Sequence, residues 1–131
     1  MEILVPVDGS DCSLRALRQG LDMAERYDGT VHVVHFTDVE SASTSELEER
    51  VESVLREHGA VGDMEIVGDV RLGTLKASDR VGSDILAVVE ERGYDHVVMG
   101  HHGSGMVGEA LLGSAAKTVV EDGTVPVTIV P

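Results

Sequence analysis

A run of glycines near the carboxyl end of the chain is the segment whose residue types and spacing point most directly to chemistry. Glycines stand at positions 100, 103, 105, 108 and 113. Glycine lets a backbone approach a ligand without side-chain interference and adopt positive φ where that is needed. Successive N–H groups in such a loop form a concavity that binds anions, and a following helix adds its first-turn amides and dipole. The pattern therefore predicts a phosphate site, to which Ser114 adds a hydroxyl donor if the loop folds back over the start of that helix.

Two other anion-binding motifs fit this segment less well. A Walker A loop requires a lysine between its last glycine and the serine or threonine, and here Ser114 directly follows Gly113. Residues 103–108 have the glycine spacing of the dinucleotide fingerprint, but that fingerprint normally follows the first strand and requires an acid at the end of the next one. The strand predicted after this loop ends without an acid. A flavin or dinucleotide enzyme is accordingly the least favoured interpretation.

Other chemically capable residues give weaker signals. Asp8 is either a ligand contact or a turn residue that caps the first helix. Cys12 and Arg18 have the spacing of a tyrosine-phosphatase loop, but the residues between them have helical periodicity, so Cys12 is predicted to be a buried or half-buried small residue. His101 and His102 are adjacent in a loop and are expected to be isolated from further histidine, cysteine or acidic ligands, so no metal site is predicted. We assign no catalytic residue.

Apolar runs that alternate with helical patterns must position these residues. The predicted strands are residues 2–7, 30–36, 69–77, 96–99 and 125–130. The predicted helices begin at Ser10 or Asp11, at a capping box of Ser45 and Glu48, at Ser83, and at Glu109. Strands that alternate with helices across short turns form a parallel sheet covered on both faces. We predict one α/β domain over residues 1–131, a doubly wound, Rossmann-like sheet of five strands in the order 3-2-1-4-5.

This strand order determines where a ligand is expected. In a doubly wound sheet, ligands bind beyond the carboxyl ends of the strands at the switch point, the place where the winding direction reverses. For the order 3-2-1-4-5 the switch point lies between strands 1 and 4. Asp8 follows strand 1, and the glycine-rich loop follows strand 4. The most unusual segment of the chain therefore falls where the topology expects a ligand.

Charge excludes several classes of partner. The chain has 24 acidic and 10 basic residues, a net charge of −14, and only two lysines, Lys76 and Lys117. A surface this negative repels phosphate backbones and anionic lipid, so neither nucleic acid nor a membrane surface is an expected partner. We interpret the acid excess and the low lysine content as salt adaptation and expect a halophilic archaeal source. An acidic cytosolic protein of a mesophile is the alternative.

The cysteine count and the apolar segments bear on location. Cys12 is the single cysteine, so an intramolecular disulfide is impossible, which fits a reducing compartment. The amino terminus has no basic segment followed by a cleavable apolar run, and no apolar stretch approaches the length of a membrane span. We expect a cytoplasmic protein.

The spacing Gly100-x2-Gly103-x9-Gly113-Ser114 resembles the nucleotide-binding signature of the universal stress protein family, in its ATP-binding branch. Residues 6–10 are similar to the opening strand and turn of that family, and residues 125–130 to its closing strand. The resemblance spans nearly the whole chain. One departure is His101, where the family usually has a small polar residue.

The resemblance implies a function and a set of contacts. The implied function is an adenine-nucleotide-binding stress-response module, with ATP or AMP as ligand, Mg²⁺ as a companion of ATP, and a homodimer formed through the last strand. The implied nucleotide contacts are Gly100, Gly103, Gly113 and Ser114 for phosphate and ribose, Asp8 for the nucleoside, and Phe36, at the end of strand 2, as the residue whose backbone reads the adenine edge. A slow Mg²⁺-dependent ATPase and a member of the fold that binds no nucleotide are the alternatives.

Overall fold

The computed structural model describes residues 1–37, 42–60, 62–68, 77–103 and 112–131. Within these ranges strands and helices alternate along the chain. The strands are β1 (Glu2–Pro6), β2 (Thr30–Phe36), β3 (Glu65–Val67), β4 (His96–Gly100) and β5 (Val127–Val130). The helices are α1 (Asp11–Tyr27), α2 (Ala42–Glu57), α3 (Ala77–Arg92) and α4 (Ser114–Asp122). No helix in the described part of the chain is both long enough and apolar enough to span a membrane.

All five strands form one parallel sheet in the order β3-β2-β1-β4-β5, which confirms the predicted fold. The central strand β1 pairs with β2 and β4, and Leu4 lies opposite both His32 and Val97. Ile3, Leu4 and Val5 are fully buried. An uninterrupted apolar run is what a strand covered on both faces requires, so the sequence of β1 matches its central place.

The core lies on both faces of the sheet because successive strand residues point to opposite sides. Ile3 and Val5 pack with apolar residues of α1 and α2 on one face. Leu4 packs on the other face, with apolar residues of α3 and α4. The helices on the two faces therefore enclose β1 and β4, whose carboxyl ends lie side by side.

The third strand differs from its prediction. It occupies Glu65–Val67, ahead of the predicted span of 69–77, while Ala77 belongs to α3 and residues 69–76 lie outside the described residues. Pairing with the end of β2, with Phe36 opposite Val67, selects this short segment as the strand. Arg92, at the end of α3, donates two hydrogen bonds to Glu65, at 2.6 and 2.7 Å. These hydrogen bonds and the charge of Arg92 lower the pKa of Glu65.

Two predicted helix starts are wrong. Helix α2 begins at Ala42 and α3 at Ala77, so Ser45 and Ser83 lie inside helices rather than at their amino ends. A serine followed by acidic residues also suits an exposed helix face, so the spacing alone does not fix a cap. Gly82 lies inside α3, where this helix approaches α4 closely. A Cβ at this position would lie 2.6 Å from Thr118 Cβ of α4.

The carboxyl-terminal elements begin later than predicted. Helix α4 is described from Ser114, and its predicted start at Glu109 lies outside the described residues. Strand β5 begins at Val127 rather than at residue 125. It is the edge strand of the sheet beyond β4, as the predicted strand order requires.

Candidate functional site

The turn between β1 and α1 forms one wall of the candidate site. Ser10 caps α1, as predicted, because its Oγ accepts a hydrogen bond from Ser13 N at 3.2 Å. Oδ1 of Asp8 accepts from the N–H of Ser10 at 3.0 Å and from its hydroxyl at 2.5 Å. Gly9 has a φ of +90°, which favours glycine at this tight turn. The half-buried Asp8 carboxylate is therefore held in one orientation, with Oδ1 committed to the turn.

The loop after β4 forms the facing wall. A Cβ on Gly103 would lie 3.1 Å from Asp8 Oδ2, so the backbone at Gly103 lies directly against that carboxylate. The two segments that the topology placed at the switch point are thus in contact. The described part of this loop ends at Gly103, and residues 104–111 lie outside the described residues.

Gly100 and Gly113 lie where two parts of the chain approach closely. A Cβ on Gly100 would be 2.6 Å from Cys12 Sγ and 3.0 Å from Ser13 N. A Cβ on Gly113 would be 2.9 Å from His102 Cα, and Gly113 N donates to His101 O at 2.6 Å. Each glycine therefore has a packing role within the protein in addition to the phosphate contact predicted for it.

The amino end of α4 meets this loop. Gly113 is its N-cap and makes no side-chain cap hydrogen bond, and Lys117 N bonds to Gly113 O at 2.8 Å. The amides of Ser114, Ala115 and Ala116 lie in the first turn, where amides have no acceptor within their own helix. Because Gly113 packs on the backbone of residues 101–103, the start of the loop does fold against the start of the helix. The role of Ser114 as an anion ligand stays a prediction.

Phe36 contributes its backbone to this end of the sheet and its side chain to the core. The ring is buried among apolar residues on the α3 and α4 face. Val34 O accepts from Val7 N, so the backbone groups of Val34 face β1, whereas Thr37 N donates to Val67 O on the β3 side. Because strand backbone groups alternate sides, those of Phe36 face the β1 side, toward the turn that holds Asp8.

Two residues near the site were missed by sequence reasoning. Arg50 of α2 donates from Nη1 to Gly9 O at 3.1 Å and from Nη2 to Asp11 Oδ1 at 2.9 Å. It brings a positive charge to the turn of a strongly acidic protein. His35 donates from Nδ1 to Val7 O at 2.7 Å. Helical and strand periodicity indicated where these residues lie on their own elements, but not which neighbouring turn they reach.

A cysteine and two histidines converge beside the same loop. Ligand atoms of Cys12, His101 and His102 all lie within 4.8 Å of one another. Cys12, which is 1% exposed, donates from Sγ to His102 O at 3.1 Å, and its Sγ lies 3.9 Å from His102 Nδ1. The expectation that the histidine pair is isolated from other ligands is wrong, because α1 begins next to the end of β4. The predicted switch-point contact was the available signal, since Cys12 follows Asp8 by four residues.

The fold and the place of the site define a doubly wound α/β protein in which the Asp8 carboxylate meets a glycine-containing loop at the switch point. The family model described as the Universal stress protein family matches residues 1–131. The chain belongs to this family, as the resemblance in sequence indicated.

Individual relatives agree with this assignment. The universal stress protein MJ0531 of Methanocaldococcus jannaschii is 28% identical over 137 aligned residues, which cover 98% of this chain and 81% of that protein. The universal stress protein from Archaeoglobus fulgidus in complex with dAMP has a similar fold, with a TM-score of 0.73 and 22% identity over 100% of this chain and 98% of that one. A universal stress protein in complex with cAMP has a TM-score of 0.70 and 22% identity over 100% of this chain and 96% of that one.

Proposed function

We propose that this protein is an adenine-nucleotide-binding stress-response module of the ATP-binding branch of its family. The observation that carries the proposal is the contact between Asp8 and Gly103 beside the amino end of α4. We propose a ligand cleft beside this contact, with the Asp8 carboxylate as acceptor on one wall and, on the other, first-turn amides that have no acceptor within their own helix. The complexes of family members with dAMP and cAMP support an adenine nucleotide as the occupant.

The charges of the cleft favour one orientation of the nucleotide. The first-turn amides of α4, with the Ser114 hydroxyl and the backbone of Gly103, suit phosphate oxygens, because amide donors and the helix dipole both attract negative charge. The Asp8 carboxylate repels phosphate and accepts hydrogen bonds from hydroxyls, so we assign it to the ribose. The backbone groups of Phe36 then face the adenine.

ATP with Mg²⁺ fits the same residues. Mg²⁺ keeps several waters and binds the phosphates of its nucleotide, so it can accompany ATP while the Asp8 carboxylate holds the ribose. When bound, the ion would neutralise part of the triphosphate charge beside a protein whose net charge is −14. We propose a regulatory or protective role that depends on nucleotide binding rather than on turnover, and a slow Mg²⁺-dependent ATPase is the alternative.

Calorimetry of ligand-free protein with ATP, AMP and GTP tests this function. We expect both adenine nucleotides to bind, and Asp8→Ala to weaken both by about tenfold, which is about 1.4 kcal/mol. Asp63→Ala is the matched control, because Asp63 is an exposed carboxylate that precedes the edge strand β3, whereas Asp8 follows the central strand β1. Release of phosphate from ATP is measured in the same samples, and its detection would favour the alternative that the protein is a slow ATPase. Wild-type protein with no affinity for any adenine nucleotide would overturn the proposal.

We further propose a two-fold homodimer formed through β5. Val97 N donates to Pro126 O and His101 N to Val130 O, so alternate backbone groups of β5 bond to β4. The groups of Val127 and Ile129 then point away from the sheet, where an edge strand is open to pairing. Pairing with a second copy would satisfy them in a closed assembly.

Sedimentation of the proline variant Val127→Pro tests the dimer. The variant removes one outward N–H without removing a hydrogen bond to β4, so we expect self-association to weaken at least about tenfold. Val120→Ser is the control, because it removes an exposed apolar side chain (44% exposed) on α4 instead. A wild-type protein that is monomeric at micromolar concentration in high salt, with its native circular dichroism spectrum, would contradict the dimer.

We also propose that the acidic composition is an adaptation to a salt-rich cytoplasm in a halophilic archaeon. The support is the net charge of −14 together with eight arginines and only two lysines among the basic residues. The single buried cysteine, Cys12, is consistent with a reducing compartment.

A further inference from the structure

We propose that Cys12, His101 and His102 form a site for a thiophilic divalent metal of the Zn²⁺ type. This site is distinct from the Mg²⁺ that accompanies a nucleotide and does not depend on the proposed function. The three side chains come from two segments: Cys12 from the first turn of α1, and the two histidines from the residues that follow β4. The fold therefore assembles the set from positions about 90 residues apart along the chain.

The spacing of the ligand atoms suits one metal ion. All three ligand atoms lie within 4.8 Å of one another, and Cys12 Sγ is 3.9 Å from His102 Nδ1. In a tetrahedral zinc site, Zn–S and Zn–N bonds of about 2.3 and 2.05 Å put sulfur and nitrogen about 3.6 Å apart. His102 Nδ1 now donates a hydrogen bond to Gly103 O at 2.9 Å, so metal binding would require its proton to move to Nε2. With that change, a movement of a few tenths of an ångström would bring this pair to bonding geometry.

The donor types select the class of metal. A thiolate with two imidazoles suits Zn²⁺ or copper, whereas Mg²⁺ and Ca²⁺ prefer carboxylate, carbonyl and water oxygens. Binding would displace the thiol proton of Cys12, which now donates to His102 O. Three protein ligands leave the fourth position of a tetrahedral zinc ion open to water or to an anion.

An unsatisfied nitrogen belongs to one of these three side chains. His101 Nδ1 is buried and has no hydrogen-bond partner among the residues that the structure describes. Buried polar atoms are rarely left without a partner, and each exception calls for an explanation. The His101 and His102 rings stand edge to face with their centroids 4.2 Å apart. A metal held between these rings and the Cys12 sulfur would give the orphaned imidazole a partner.

The sulfur ligand is the most specific part of the site and can be tested by spectroscopy. Metal-free protein is titrated with Co²⁺ and, in competition with a chromophoric chelator, with Zn²⁺. We expect one equivalent of each to bind, with a thiolate-to-cobalt charge-transfer band in the near ultraviolet. Cys12→Ser should remove the band, and His101→Ala should weaken Zn²⁺ binding by at least about tenfold, the lower end of the cost of losing even an outer-shell partner.

His58→Ala is the matched control, because His58 lies at the end of α2 and pairs with Asp22, away from the cluster. It should leave both titrations unchanged. Thermal unfolding of each variant shows whether it is folded. If Cys12→Ser does not fold, the test of the site rests on the cobalt spectrum of the wild type and on the zinc affinity of His101→Ala. Cobalt binding without the charge-transfer band, no zinc binding by the wild type, or equal zinc affinity in His101→Ala would overturn the site. Adenine-nucleotide calorimetry on the same samples separates this outcome from failure of the proposed function.

Discussion

Replacing Gly113 with valine is expected to weaken ATP binding at least tenfold, which is about 1.4 kcal/mol. A Cβ at this position would lie 2.9 Å from His102 Cα and 3.4 Å from Gly103 N, and both of these are backbone atoms that cannot simply rotate away. The amino end of α4 would have to move off the loop. The first-turn amides would then lose the position that we assign to phosphate, while the sheet would be preserved.

A second tight glycine provides the control for this prediction. A Cβ on Gly20 would lie 2.7 Å from Val5 Cγ2, so Gly20→Ala should lower the thermal midpoint by disturbing the contact between α1 and β1. It should leave nucleotide affinity unchanged, because Gly20 lies well along α1 from the cleft. Calorimetry with ATP and AMP, paired with circular dichroism, distinguishes the two effects. Full ATP affinity in Gly113→Val would place the phosphate site elsewhere in the molecule.

The thermal midpoint is expected to rise by at least about 8 °C between low and molar KCl, which is about 2 kcal/mol for a domain of this size. Carboxylate repulsion accompanies a net charge of −14, and salt shortens the screening length from about 10 Å at 0.1 M to about 3 Å at 1 M. Exposed ion pairs such as Arg50 with Asp11 weaken in the same salt. Each exposed pair contributes only about 0.2–1 kcal/mol, so relief of repulsion should dominate.

The exposed acidic face of α2 allows a direct check of this cause. Glu46, Glu49 and Glu52 are all exposed. Changing the three to glutamine should flatten the dependence on KCl and raise the midpoint at low salt, as measured by scanning calorimetry. A wild-type midpoint that is flat or falls with KCl would contradict salt adaptation and leave the acidic mesophilic protein as the better explanation.

Most of the sheet could be predicted because its strands carry their own pattern. The runs of β1, β2 and β4 are apolar and β-branched, and their alternation with helices leaves few possible strand orders. The third strand could not be predicted, because three residues carry little pattern and Glu65–Val67 is a strand only through its pairing with β2. The close contact at Gly82 could not be predicted either, because it is made with Thr118, in a helix more than thirty residues later.

The candidate site could be predicted in part for the same reasons. Strand order alone brought Asp8 to the glycine loop, so this contact was accessible from sequence. Periodicity indicated that Cys12 is buried, but a helical pattern gives the buried face and not the atoms that it meets. The contact of Arg50 with Gly9 O could not be predicted from sequence, because it depends on how α2 packs against the turn after β1 and on the conformation of a long side chain.

The turn around Asp8 has a consequence for the thermodynamics of recognition. Because Ser10 fixes Oδ1, the orientation of this carboxylate is settled when the protein folds, before any ligand arrives. Immobilising a side chain at the moment of binding costs about 0.5–1.5 kcal/mol when the chain is otherwise free. In this protein the side chain of Asp8 loses that entropy during folding and not during binding. Its Oδ2 is already positioned beside Gly103. An acceptor that needs no reordering gives directional selectivity to a cleft whose other contacts come mainly from backbone.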